Sequence, residues 1–211
     1  MTILVTGATG NLGRLIIDSL LERGASPQSI VAGVRDVAKA ADLSALGVAV
    51  AVVDYDQPAT VAAALDGVDA VALVSGSEVG RRVAQHQVVI DAARAAGVTK
   101  FVYTSVAQAP TSDLVLAPEH KATEELIAAA GLPAVILRNN WYTENYGADL
   151  ARAAETGVLA AGVGEGRVAS ASRKDFAEAV AAVLLEDGHI GQAYELAGDV
   201  AWNYDDLAAA M

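Results

Sequence analysis

Short runs of Val, Ile, Leu and Ala alternate with longer segments whose apolar positions recur every three or four residues. The short runs predict strands over 2–6, 30–34, 49–53, 70–74, 101–104 and 134–137. Helices are predicted near 12–23, 37–45, 58–65, 80–96, 119–130 and 145–156. Strict strand–helix alternation, with strands apolar on both faces, predicts an α/β chain built on a doubly wound parallel sheet. Its crossovers are then right-handed, with helices on both faces. Gly24, Gly97 and Gly131 each follow a helical run, where a left-handed cap is wanted. No repeat, low-complexity tract or linker interrupts the pattern. After about residue 157 the rhythm changes to short pieces: "GVLAAGVGEGRVASASR", a helix near 173–186, and "GQAYELAGD". Residues 157–211 are therefore expected to add short strands and one side of a cleft to a binding domain over 1–156, without forming a separate domain. The closing "WNYDDLAAAM" reads as the opening of a helix capped by Asn203 or Asp205. The chain is thus either naturally short or an incomplete version of a longer one.

Composition narrows the class. Of the 211 residues 54% are apolar but only 5% aromatic, so the core is expected to be Ala, Val, Leu and Ile. The 26 acidic against 14 basic residues give a net charge of −12, which argues against a nucleic-acid surface and an anionic membrane. With no cysteine, disulfides, thiolate metal sites and thiol catalysis are excluded. No run approaches a membrane span or a signal h-region, so a soluble cytoplasmic protein is expected.

The stretch "MTILVTGATGNLGRLIIDSLLERG" carries the first chemistry. Gly7, Gly10 and Gly13 lie between the first strand and an amphipathic helix, the context of a dinucleotide-binding turn in a Rossmann fold. Gly7 would make the tight turn, Gly10 would leave room for phosphate oxygens, and Gly13 would let the helix pack closely. Thr6, Thr9 and Asn11 offer side-chain donors nearby. Three turn glycines without a ligand are the plainer alternative. At the end of the second strand, "IVAGVRD" offers both Arg35 for a 2′-phosphate and Asp36 for a ribose hydroxyl. Asp36 suits a helix cap, leaving Arg35, with Lys39 a turn later, to face a phosphate. NADP(H) is therefore favoured over NAD(H). Asp54 is placed either to touch the adenine side or to cap the next helix.

Other strand ends add candidates. The fourth ends in Ser75, Gly76 and Ser77, a turn that lets backbone approach a ribose. Thr104 and Ser105 end the fifth, where short-chain dehydrogenases carry a hydroxyl followed downstream by Tyr-x-x-x-Lys. Ala117 stands four residues before Lys121, so the tyrosine acid is missing there. Lys121 remains suited to a ribose; His120 is a candidate acid, and Tyr103 reads equally as core. No catalytic residue is assigned beyond these three candidates. "RNNWYTENYG" crowds Trp141, Tyr142 and Tyr146 together, a wall for a planar substrate or a set of aromatic plugs. His86 reads as a helix-face residue and His189 as loop. No histidine pair has metal-ligand spacing, so no metal is expected.

Together "VTGATGNLG", "GVRDVAKA", "SGSEVGRRVAQHQVVIDAARAAGV", "YTS", "EHKATEELI", "RNNWYTENY" and "AYELAGD" resemble the NmrA-like atypical short-chain dehydrogenases, most closely the type 2 NAD(P)H:quinone oxidoreductase branch. The resemblance runs in order along essentially the whole chain. It implies cofactor contacts from Gly7, Thr9, Gly10, Asn11, Leu12, Gly13, Arg35, Ser75, Gly76, Ser77, Asn140, Trp141, Tyr142, Thr143, Glu144 and Asn145. It also implies that the missing tyrosine is normal for this branch. Relatives continue past residue 211, so the substrate side is expected to be open or completed by a second subunit, and a homodimer is one option. The activity implied is NADPH-dependent reduction of a quinone or similar planar carbonyl. A redox sensor that binds NADP(H) without turnover, and signals to a protein partner, is the alternative.

Overall fold

The computed structural model describes residues 1–211. Seven strands form in chain order: β1 (Ile3–Val5), β2 (Ile30–Val34), β3 (Ala49–Val52), β4 (Ala70–Leu73), β5 (Lys100–Val106), β6 (Ala134–Asn139) and β7 (Ala193–Leu196). Eight α-helices accompany them: α1 (Asn11–Glu22), α2 (Ala41–Ala45), α3 (Pro58–Ala64), α4 (Arg82–Ala96), α5 (Ala117–Ala130), α6 (Gly147–Thr156), α7 (Arg173–Leu185) and α8 (Tyr204–Ala209). All neighbouring strands pair in parallel, in the order β3-β2-β1-β4-β5-β6-β7. The expected doubly wound sheet is borne out, and its direction of winding reverses between β1 and β4.

Strand alternation sorts the core into two layers. Ile3, Val5, Ala70, Ala72 and Val102 point to one face, where they meet Leu12, Ile16 and Leu20 of α1 and Phe176 and Val180 of α7. Leu4, Val71, Leu73, Phe101 and Tyr103 point to the other, against Val61 of α3, Val89 and Ile90 of α4 and Ile127 of α5. Larger side chains line the second face and more alanines the first. Gly97 and Gly131 end α4 and α5 in the left-handed conformation. No helix is long and apolar enough to cross a membrane.

Several local expectations are corrected. The helix over 37–45 divides into a 3-10 turn, Val37–Ala40, and α2, because the Asp36 carboxylate accepts the Ala38 N–H at 3.0 Å and tightens the chain. The helix near 145–156 begins instead as a 3-10 turn, Thr143–Tyr146, continued by α6. β3 is not buried on both faces; as an edge strand it has only exposed or half-buried residues. The tail yields a single strand, β7, plus isolated bridges from Tyr142 to Ala171 and from Val168 to Trp202. Asn203 caps α8 through a reciprocal box with Asp206, which answers the choice between Asn203 and Asp205.

Candidate functional site

A cleft of about 660 Å³ opens over the carboxyl ends of β1, β2, β3 and β4. Ligands of doubly wound sheets bind at such a reversal of strand order. Its floor is the turn from β1 into α1. Gly7 has φ of +59°, which an L side chain adopts with strain, and it reverses the chain. A Cβ on Gly13 would overlap the Gly7 carbonyl oxygen and lie 2.8 Å from its carbonyl carbon, so only glycine allows the helix to start this close to the turn. Gly10 caps α1 without a side-chain hydrogen bond, and the first turn holds no acidic residue. The leading amides of α1 therefore face the cleft with the positive end of the helix dipole, a receptor for an anion. A 2′-phosphorylated dinucleotide fits this floor, because Arg35 and Lys39 line the far end of the same cleft.

Gly7, Thr9, Gly10, Asn11, Leu12, Gly13, Arg35, Ser75, Gly76, Ser77 and Tyr142 are brought together on this one cleft. Asp54 also lines it, with its carboxylate accepting from Asp56 N–H and the Gln57 amide. Thr6 does not join them. It is buried, and its hydroxyl accepts the Val74 N–H at 3.0 Å, tying the ends of β1 and β4 together.

The 75–77 turn rests on a buried polar rack. Ser75 N–H donates to Thr104 Oγ1 (2.9 Å) and Gly76 N–H to His86 Nε2 (3.0 Å), while Arg82 Nε donates to the Gly76 carbonyl (2.6 Å). Arg82 is buried and paired with Glu119 at 2.7 Å. Since His86 Nε2 accepts, its Nδ1 carries the proton and donates to Thr123 Oγ1 at 3.0 Å. His86 is thus not a mere helix-face residue; burial, then the Arg82 charge, lowers its pKa to about 3. His189 lies in the loop before β7, as expected, with its Nδ1 2.8 Å from the Tyr194 hydroxyl.

None of the three candidate catalytic residues lines the cleft. Tyr103 is fully buried, its hydroxyl 2.8 Å from His120 Nδ1. Burial raises the Tyr103 pKa and lowers that of His120 to about 4, so neither is poised for proton transfer near neutrality. Lys121 is exposed, because α5 turns Ala117, His120, Thr123 and Ile127 inward and its neighbour outward. Thr104 and Ser105 are also committed, the latter donating to Glu124 at 2.6 Å.

The segment after β6 is only partly at the cleft. Tyr142 reaches it, packed on Phe176 with ring centroids 5.3 Å apart. Trp141 is 42% exposed and lies off the cleft, and Tyr146 is buried against Trp202 at 4.8 Å. The expected three-ring wall is therefore one ring. Asn140 accepts the Trp141 N–H, Thr143 bonds Ser170, and Glu144 and Asn145 both bond Arg173. Glu144 lines a smaller recess of about 380 Å³ beside the α1 terminus.

The NAD(P)H-binding family model matches residues 7–187, a span that takes in the glycine turn, α1 and the rest of the cleft. The chain belongs to that family. Quinone oxidoreductase 2 of Escherichia coli (strain K12) is 49% identical over 99% of this chain and 73% of its own length. A crystal structure of an Escherichia coli NADPH-dependent quinone oxidoreductase complexed with NADPH superposes with a TM-score of 0.95, at 48% identity, covering 99% of this chain and 73% of that one. The Citrobacter sp. triphenylmethane reductase complexed with NADP(H) gives 0.94 at 39% identity, over 99% and 74%. These relatives bear out the resemblance read from the sequence.

Sequence reasoning missed Glu78, Gln85, Tyr55 and Arg173, which also line the cleft. Glu78 follows the Ser-Gly-Ser turn directly and could have been read from it; its carboxylate lies 3.3 Å from Arg35. Arg173 had one local signal, the "SRKD" cap of α7, which says where the helix starts and not what it faces.

Proposed function

We propose that this protein is a cytoplasmic NADPH-dependent reductase of quinones or similar planar carbonyl acceptors. The observation that carries the reading is the cleft itself: an uncapped α1 terminus over a glycine turn, with Arg35 and Lys39 at the far end, in a chain 49% identical to a quinone oxidoreductase. NADPH, when bound, supplies the hydride that reduces the acceptor. The chain's own residues bind and orient. The α1 amides hold the diphosphate, and Arg35 receives the 2′-phosphate as a planar fork. Arg35 is 77% exposed in its pair with Glu78, and exposed pairs are worth at most about 1 kcal/mol, so a phosphate displaces Glu78 at small cost. The rack of Thr104, His86 and Arg82 fixes the backbone of the 75–77 turn, and Tyr142 offers one apolar ring face. No side chain of the cleft is required as an acid, because a reduced quinone takes its proton from water.

The reading is tested by following loss of reduced-nicotinamide absorbance with NADPH or NADH, with and without benzoquinone-type acceptors. Quinone-dependent turnover that prefers NADPH is expected. Arg35→Ala should raise KM for NADPH about tenfold to hundredfold and leave NADH nearly unchanged. Tight NADPH binding with no acceptor drawing electrons would overturn the reading in favour of a cofactor sensor.

A further inference from the structure

Arg173, the first residue of α7, lines both the cleft and the smaller recess, in each case opposite Thr9, Gly10 and Asn11. It comes from the far end of the chain and reaches the glycine turn because α7 packs along α1. Its own helix terminus is already satisfied. The Arg173 N–H donates to both oxygens of Glu144 (2.8 and 3.1 Å), and Ser172 and Asp175 close a capping box. The side chain is left differently. Arg173 is half-buried as a residue, and its guanidinium donates to the neutral Asn145 Oδ1 at 2.8 Å and lies 5.0 Å over the Tyr142 ring, with no carboxylate oxygen within 4 Å. By contrast Arg35, on the same cleft, is paired with Glu78. A guanidinium whose hydrogen-bond partner is neutral keeps donors free, and an anion arriving in the cleft would take them as charge-assisted bonds.

We propose that Arg173 is a clamp for the cofactor's diphosphate, closing on it from α7 while the α1 amides hold it from beneath. Two phosphate groups suit this pairing: the amides act through a fixed dipole, and the planar fork bonds two oxygens at once. The inference rests on the NADPH reading above.

The test compares binding of NADPH with that of adenosine 2′-monophosphate, which keeps the Arg35 phosphate and lacks the diphosphate. Titration calorimetry is run on wild type, Arg173→Met and Arg173→Lys. Methionine keeps an apolar stem on Tyr142 and removes the charge. NADPH affinity should fall about tenfold to hundredfold in Arg173→Met, with partial recovery in Arg173→Lys, while the monophosphate changes by less than about twofold. Unchanged NADPH affinity in Arg173→Met overturns the clamp alone, as does parallel weakening of both ligands, which would mean general damage to the cleft. If wild type binds no NADPH, the reductase reading falls and the clamp with it.

Discussion

At the scale of single residues, Gly13 sets two known effects against each other. In an exposed helix, alanine is favoured over glycine by about 1 kcal/mol. Here a Cβ would meet the backbone of Gly7 and not a flexible side chain, so the turn itself must shift. Overpacking of that kind costs about 1–3 kcal/mol. Gly13→Ala is therefore expected to be less stable than wild type by urea denaturation, with weaker NADPH binding; equal or greater stability would show that the turn yields freely. The glycine spacing was legible because strand, turn and helix are contiguous in the chain. Arg173 was not, since it joins the site only through the packing of α7 on α1. Lys121 failed for another reason: the motif fixed its distance from Ala117 but not the phase of α5, which turns His120 and Thr123 inward. Tyr146 was misplaced because its partners, Trp202 and Tyr204, lie some sixty residues on, in a tail whose path no local pattern fixes.

At the scale of elements, the helices bear unequal loads at their ends. α4 and α5 close with left-handed glycines, a device readable from sequence. α7 instead ends on a side chain from another element: the buried Lys100, at the start of β5, donates from Nζ to the carbonyls of Leu184 (3.0 Å) and Glu186 (2.6 Å). A cation at a helix C-terminus is favoured by the dipole, and it satisfies carbonyls the helix leaves bare. This contact crosses 84 residues, which explains why Lys100 carried no signal of its role. Lys100→Met should lower stability by about 1–3 kcal/mol through the uncovered carbonyls. NADPH affinity should be preserved, since the lysine sits at the amino end of β5, away from the cleft. A loss of cofactor binding at unchanged stability would contradict this division between the two ends of the sheet.

For the molecule as a whole, the rack behind the 75–77 turn couples the fold to pH. His86 and His120 hold pKa values of about 3 and about 4 in the folded chain, lowered first by burial and then by the Arg82 charge. Both are ordinarily near 6.5, so between that pH and 4 the unfolded chain binds protons that the folded chain refuses. Stability is then fully present above about pH 6.5 and drains away as pH falls. From pH 7 to pH 5 each histidine removes roughly 2 kcal/mol, before most carboxylates begin to titrate. Together they represent a large part of the 5–15 kcal/mol typical of a domain. Urea denaturation at the two pH values should show this drop, and His120→Gln should cut its pH-dependent part by about half. Because His86 stays neutral in the folded chain down to about pH 3, it goes on accepting the Gly76 N–H, so the turn that lines the cleft should keep its shape wherever the fold survives. Flat stability between pH 7 and 5 would mean that the histidines are far less buried than their contacts make them.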